Sequence, residues 1–170
     1  MLDRLAARRE LLEELDPGHP TWVVLYQVDE VRQYLPSFHA IGTDPYPIPA
    51  RPVALAGQWT RKTVDGVCGA RPVWMVPQVF NWANYKKTPE EKAQHRAPTL
   101  DEMRSMAWQC IAEGANGLVF YSWFDLHKDA TTPFDEPRAR VKQLAAGIAP
   151  LTPVLLSLDA DPAFLTTDEA

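Results

Sequence analysis

The sequence predicts an α/β fold in which parallel strands alternate with helices. Four short apolar runs, each ending in polar or aromatic residues, lie along the chain with helical patterns between them. Continuously apolar strands are typical of parallel sheets whose faces are covered by helices. In such folds the functional residues gather at the carboxyl ends of the strands, where this chain has Gln, Asp, Tyr and Trp residues.

The four predicted strands are separated by helices and turns of ordinary length. The strands cover residues 21–27, 38–43, 73–79 and 117–122. An amphipathic helix over residues 2–15 precedes the first strand and ends at Asp16-Pro17-Gly18. A short helical or turn segment over residues 29–34 follows the first strand, and a helix over residues 52–67 follows the second.

Two capping boxes mark helix starts after the third strand. Thr88 is followed three residues later by Glu91, and Thr99 by Glu102. In this arrangement the threonine accepts a hydrogen bond from the third helical residue, whose glutamate returns one to the cap. The second box begins the clearest helix, over residues 99–113, because apolar residues follow it at helical spacing.

The segments on either side of this helix complete the predicted organisation. Residues 81–98 form a long connection at the carboxyl end of the third strand, and connections of that length are usually functional. A last helix covers residues 137–147. We predict one domain over residues 1–150 and a partly loose tail over residues 151–170.

Four parallel βα units of this kind form half of a TIM-type (β/α) barrel. A half barrel leaves two strand edges and an apolar inner face uncovered, which is unfavourable in water. Dimerisation or a missing amino-terminal half of the protein would cover that face. A small open sheet with helices on both faces is the remaining alternative.

Composition excludes several classes of partner and cofactor. The chain has 170 residues and a net charge of −5, whereas nucleic-acid binding calls for a basic patch. No apolar stretch is long enough to span a bilayer, and the charged start is not a signal peptide. Cys68 and Cys110 match no metal-ligand spacing, and no phosphate-binding loop is present. We predict no metal, cofactor, nucleic acid or membrane partner, and the compartment stays unknown.

Several motifs occur in an order that resembles a known family. They are Asp16-Pro17 with His19-Pro20, Gly42-x-Asp44-x-Tyr46-Pro47, Pro77-Gln78-x-Phe80, Pro98 to Met103, and Glu113 to Gly117 leading into Phe120-Tyr121-Ser122-Trp123. Over residues 10–148 this order resembles the carboxyl-terminal half of (β/α)8-barrel glycoside hydrolases of the retaining, beta-galactosidase-like clan, or related glycosidase-like barrels. The resemblance implies that the four strands are the fifth to eighth of the barrel.

The resemblance implies a carbohydrate-processing site with parts missing. In that clan the acid/base glutamate follows the fourth strand, which this chain lacks, and the nucleophilic glutamate ends the seventh strand, where this chain has Gln78. A retaining mechanism needs two carboxyl groups about 5–5.5 Å apart. We therefore predict a glycoside-hydrolase-like domain that acts on or binds carbohydrate and is incomplete for catalysis alone. The alternatives are a non-catalytic carbohydrate-binding or assembly half-barrel module, and a small open α/β enzyme of another class.

Residues at the predicted strand ends are the candidates for the site. The expected carbohydrate-binding residues are Asp44, Tyr46, Gln78, Trp82 and Trp123. Their carboxylate, amide and aromatic groups suit sugar hydroxyls and apolar sugar faces. Asp44 and Asp125 are the candidate catalytic carboxylates. The alternative interpretations are a turn cap for Asp44, a structural amide for Gln78 and an exposed loop position for Asp125. Beyond the carbohydrate ligand, the expected partner is a second copy or the missing amino-terminal half.

Overall fold

The computed structural model describes residues 1–129 and 131–157. These residues form seven α-helices, three 3₁₀ helices and four short strands. The α-helices are α1 (Leu2–Leu15), α2 (Leu55–Val67), α3 (Pro89–Ala93), α4 (Leu100–Ala112), α5 (Trp123–Lys128), α6 (Asp135–Ile148) and α7 (Thr152–Leu155). The strands are β1 (Trp22–Leu25), β2 (Ala40–Thr43), β3 (Trp74–Met75) and β4 (Gly117–Leu118). The 3₁₀ helices cover Val28–Tyr34, Trp82–Tyr85 and Ala149–Leu151.

The strands form two parallel pairs, and β2 of the first pair lies beside β3 of the second. β1 pairs with β2, with Leu25 opposite Thr43, and β3 pairs with β4, with Trp74 opposite Gly117. A single parallel bridge joins the pairs through Ile41 and Val73. A Cβ atom on Gly42 would lie only 1.7 Å from the carbonyl oxygen of Trp74, so this approach requires glycine. Because both pairs and the bridge between them are parallel, the carboxyl ends of the four strands lie at the same edge.

The predicted fold class is wrong. The described residues form a mostly helical structure with two two-stranded sheets, rather than four βα units building half of a barrel. The predicted strands of six or seven residues shorten to two to four residues. Proline explains part of this, because Pro45, Pro72 and Pro77 flank the second and third strands and have no N–H to give to a ladder.

The predicted helices form, with small shifts at their ends, but α1 buries none of its residues, so the prediction that it is amphipathic is not confirmed. The segment after the first strand is the 3₁₀ helix Val28–Tyr34. α2 and α4 lie within the predicted ranges, and α6 extends beyond its predicted range at both ends. Both capping boxes form, at Thr88 and at Thr99. Of the predicted tail, residues 151–157 are described and residues 158–170 lie outside the described residues.

One apolar core holds the strands against α2 and α4. Ile41, Met75 and Met106 are fully buried at its centre. Thr43 and Thr63 share a buried hydrogen bond of 2.9 Å that ties β2 to α2. A second cluster of buried apolar residues packs α4 against α5 and α6; it contains Val79, Met103, Ala107, Leu126 and Leu144. Among the described residues no helix is long and apolar enough to cross a membrane.

Candidate functional site

A cleft opens where the strands end. It consists of two cavities of about 480 and 500 Å³ that share the side chains of Tyr26, Asp44, Tyr46 and Trp82. We call these two cavities together the strand-end cleft. Tyr26 follows β1 and Asp44 follows β2, so the direction of the strands brings them to this edge. The cleft is large enough for one or two sugar rings, since small-molecule sites typically measure about 300–1,000 Å³.

Five aromatic rings form one cluster in the cleft. Phe80 is buried at the centre, with its ring centroid 4.9 Å from that of Tyr46 and 5.1 Å from that of Trp82. Tyr85 and Tyr121 meet the same ring edge to face at 5.6 and 6.0 Å. Edge-to-face contacts of this kind hold the rings in fixed orientations. The cluster therefore presents rigid aromatic surface to the cleft.

Among the described residues, Asp44 is the only carboxylate on the lining of the cleft. Its side chain is half-buried, and Oδ1 is buried without a hydrogen-bond partner among the described residues. Burial raises the pKa of Asp44, while its own backbone and the Tyr46 hydroxyl act in the opposite direction through hydrogen bonds. Burial and the charge of Asp44 together raise the pKa of Tyr46, so this hydroxyl stays protonated. A half-buried carboxylate on the cleft lining, next to a tyrosine hydroxyl, suits a ligand that carries hydroxyl groups.

Asp125 is buried in the first turn of α5 and does not line the cleft. The hydroxyls of Ser122 and Tyr85 donate to its Oδ2 over 2.6 and 2.9 Å. Asn84 donates to its backbone carbonyl over 2.9 Å. The expectation of an exposed loop position is therefore wrong, and the structure does not bring Asp125 and Asp44 to one cavity. Asp125 instead fastens the 3₁₀ helix Trp82–Tyr85 to α5.

Gln78 is fully buried and its amide is engaged by the backbone. Its Oε1 accepts from the amide of Ile48 over 2.8 Å, and its Nε2 donates to the carbonyls of Ile48 and Phe80, each over 3.0 Å. The side chain thus ties the loop after β2 to the segment after β3. It is not accessible to a ligand in this structure, which corrects the expectation that Gln78 projects into the site.

The two tryptophans that we expected in the site lie apart. Trp82 is half-buried, lines both cavities, and directs its Nε1 to the carbonyl of Tyr46 at 3.4 Å. Trp123 is 61% exposed on α5 and packs against Phe134, with ring centroids 5.0 Å apart. It does not line the cleft, because it opens α5 instead of ending a strand.

The cleft also contains residues that we did not predict. Tyr26 and Tyr121 end apolar runs, and that position was a signal that could have found them. Arg51, Lys86 and His95 come from three loops, and no local pattern in the sequence distinguishes them from other surface residues. Within residues 1–129 and 131–157, no group of three or more His, Cys, Asp or Glu side chains could hold a metal ion.

Comparison with known proteins assigns no family to this chain. No family model matches it, and neither a curated protein nor a solved structure does so. The resemblance to glycoside hydrolases therefore stays a prediction, and the geometry of the strand-end cleft carries the functional argument.

Proposed function

We propose that this chain is a glycoside-hydrolase-like protein that binds carbohydrate in the strand-end cleft. The observation that carries the proposal is the half-buried carboxylate of Asp44 on the same lining as the rings of Tyr46 and Trp82. A sugar ring has an apolar face of C–H groups and a rim of hydroxyl donors. The aromatic rings suit the face, and the Asp44 carboxylate suits a hydroxyl on the rim.

Binding without hydrolysis is the activity that these residues support best. Hydrolysis of a glycosidic bond uses two carboxyl groups, about 5–5.5 Å apart in retaining enzymes and about 6.5–9.5 Å apart in inverting ones. Among the described residues, Asp44 is the only acid that lines the cleft, since Asp125 is buried elsewhere and Gln78 is a buried amide. The part of the chain that the structure describes therefore provides one of the two groups.

Hydrolysis is the second candidate, and one observation favours it. Burial raises the pKa of Asp44, which is typical of a carboxyl group that acts as a general acid. The second carboxylate would then come from a second copy of the chain. A measurement of molar mass by light scattering, with and without oligosaccharide, tests this.

Ligand-observed NMR with a panel of neutral methyl glycosides and disaccharides tests the proposal. We expect wild-type protein to bind at least one sugar, and Asp44→Ala to weaken that binding about 10-fold or more, since a hydrogen bond to a charged group contributes about 1.5–3 kcal/mol. Trp82→Ala should also weaken it. Trp108→Ala is the matched control, because Trp108 is exposed on α4 outside the cleft.

Two results would contradict the proposal. The first is the absence of binding to every sugar in the panel by folded wild-type protein. The second is an equal effect of Trp82→Ala and Trp108→Ala, which would place the sugar outside the cleft.

A further inference from the structure

One half of the strand-end cleft carries a group of cationic side chains. The cavity of about 480 Å³ is lined by Arg51, Lys86 and His95 as well as by Asp44. Arg51 lies in the loop between β2 and α2, Lys86 follows the 3₁₀ helix Trp82–Tyr85, and His95 follows α3. Three separate segments therefore bring nitrogen-bearing side chains to one cavity. We call Arg51 and Lys86 the cationic wall of this cavity.

The cationic wall has no acidic partner within ion-pair distance among the described residues. Several other cations of the protein are paired, in Arg61–Glu113, Lys62–Asp29 and Arg96–Glu102. Arg51 and Lys86 form no ion pair within 4.0 Å and no side-chain hydrogen bond in the part of the chain that is described. The charge of Lys86 contributes to the lowered pKa of Glu91, but the Glu91 carboxylate accepts its hydrogen bonds from the backbone amides of Lys87 and Thr88.

His95 adds a buried nitrogen to the same cavity. Its Nδ1 is inaccessible to water and has no hydrogen-bond partner within the described residues. A buried polar atom without a partner is unfavourable for the folded protein. The cavity thus combines two unpaired cations, one unsatisfied ring nitrogen and the aromatic side chains of Tyr46 and Trp82.

The local charge of this cavity is opposite to that of the whole protein. The chain has a net charge of −5, so its overall field repels anions. Among the described residues, Asp44 is the only acid on the lining, against Arg51 and Lys86. An anion that binds here therefore does so through these particular side chains.

We propose that the strand-end cleft prefers acidic sugars, and that Arg51 and Lys86 bind the anionic group of the sugar while Tyr46 and Trp82 contact its ring. The inference rests on the proposed function and names the ligand class. Arginine suits a carboxylate or sulfate because its planar guanidinium donates two parallel hydrogen bonds. Lysine adds a point charge.

NMR titrations with matched ligands test this preference. The probes are the methyl glycosides of glucose, galactose and mannose, their uronates, and their 6-sulfates. We expect at least one acidic member to bind about 10-fold more tightly than its neutral counterpart. The uronate and sulfate arms distinguish which anionic group is recognised. Sodium sulfate and sodium acetate serve as free anions.

Charge-removing variants locate the effect. Arg51→Gln with Lys86→Gln should abolish the preference, so that the affinities for the acidic and neutral glycosides come to within about 2-fold of each other. The single variant Arg51→Gln, at an exposed position, should lose part of the preference. Arg32→Gln with Lys87→Gln is the matched control, because both side chains are exposed and neither lines the cleft.

The outcomes separate this inference from the proposed function. Equal affinity for acidic and neutral sugars would overturn the preference and leave carbohydrate binding intact. If free sulfate or acetate binds as tightly as the acidic sugars, the cavity holds an adventitious ion only. That result would also overturn the preference for acidic sugars. Failure of every sugar to bind would overturn both proposals.

Discussion

The hydroxyl of Tyr85 donates a hydrogen bond of 2.9 Å to Oδ2 of Asp125, forty residues further along the chain. This bond joins the 3₁₀ helix Trp82–Tyr85 to α5 and closes one side of the aromatic cluster. Lys128, also on α5, places its Nζ 4.9 Å from the centroid of the Tyr85 ring. The position of the aromatic surface in the cleft therefore depends on a carboxylate that does not line the cleft.

Removal of the Tyr85 hydroxyl is expected to destabilise the protein. Tyr85→Phe leaves Asp125 with one donor fewer, and we expect the free energy of unfolding to fall by about 1 kcal/mol, since Tyr85 is partly exposed. Urea unfolding measures this change. Tyr26→Phe is the control, because Tyr26 is 74% exposed. Equal stability of both variants and the wild type would show that the bond contributes nothing.

Asp44 is expected to destabilise the protein at neutral pH. Burial raises its pKa above the usual value of 3.8, so the folded state binds its proton more tightly than the unfolded state. Stability from this group is complete below that usual value and is lost as pH rises through the raised pKa. Asp44→Asn should therefore unfold at higher urea concentration than wild type at pH about 7, with the difference shrinking on acidification.

The same variant links stability to function. If Asp44→Asn is both more stable and weaker in sugar binding, the buried carboxylate is retained for the ligand and not for the fold. A variant that loses stability at neutral pH would contradict this role for the burial of Asp44.

Arg96 is expected to control the ionisation of Glu102 at the start of α4. The Arg96 guanidinium donates to both carboxylate oxygens over 2.6 and 2.7 Å, and together with the Thr99 amide it lowers the pKa of Glu102 to about 2. Arg96→Gln should raise that pKa toward 4.5 without reaching it, because the Thr99 amide still donates. Carbon-13 NMR titration of the carboxyl group measures this pKa.

The sign of the accompanying change in stability follows from linkage. A lowered pKa stabilises the folded state above pH about 4.5, and this contribution is lost as pH falls toward 2. Arg104→Gln is the control, because Arg104 pairs with Asp101. An unchanged pKa of Glu102 in Arg96→Gln would contradict the assigned cause.

A carboxylate at position 78 is not expected to create an enzyme. Gln78→Glu would place a buried acid against the carbonyls of Ile48 and Phe80, which need a donor. We expect a loss of about 3 kcal/mol in the free energy of unfolding and no hydrolysis of nitrophenyl glycosides. Gln143→Glu, at an exposed position of α6, is the control. Activity gained by Gln78→Glu would instead show that this side chain reaches the cleft.

The candidate site was predictable where position along a strand was enough. Asp44 and Tyr46 directly follow β2, so recognising the strand sufficed to place them at its carboxyl edge. Trp82 opens the long connection and also lies there. Gln78 also follows a strand, but its side-chain amide is hydrogen-bonded to the backbone of Ile48, thirty residues away. No pattern within one segment reveals a contact of that kind.

Local spacing and capping signals predicted α1 to α4 and α6, both capping boxes and the approximate positions of the strands, but not α5 or α7. These features depend on residues within one or two turns of each other, as at Thr99 and Glu102. The length of the strands and the burial of Gln78 and Asp125 depend on tertiary contacts. So does the single cavity that Arg51, Lys86 and His95 share. Packing and hydrogen bonding between distant segments govern those outcomes. The spacing of residues within one segment does not reveal the energies of such contacts.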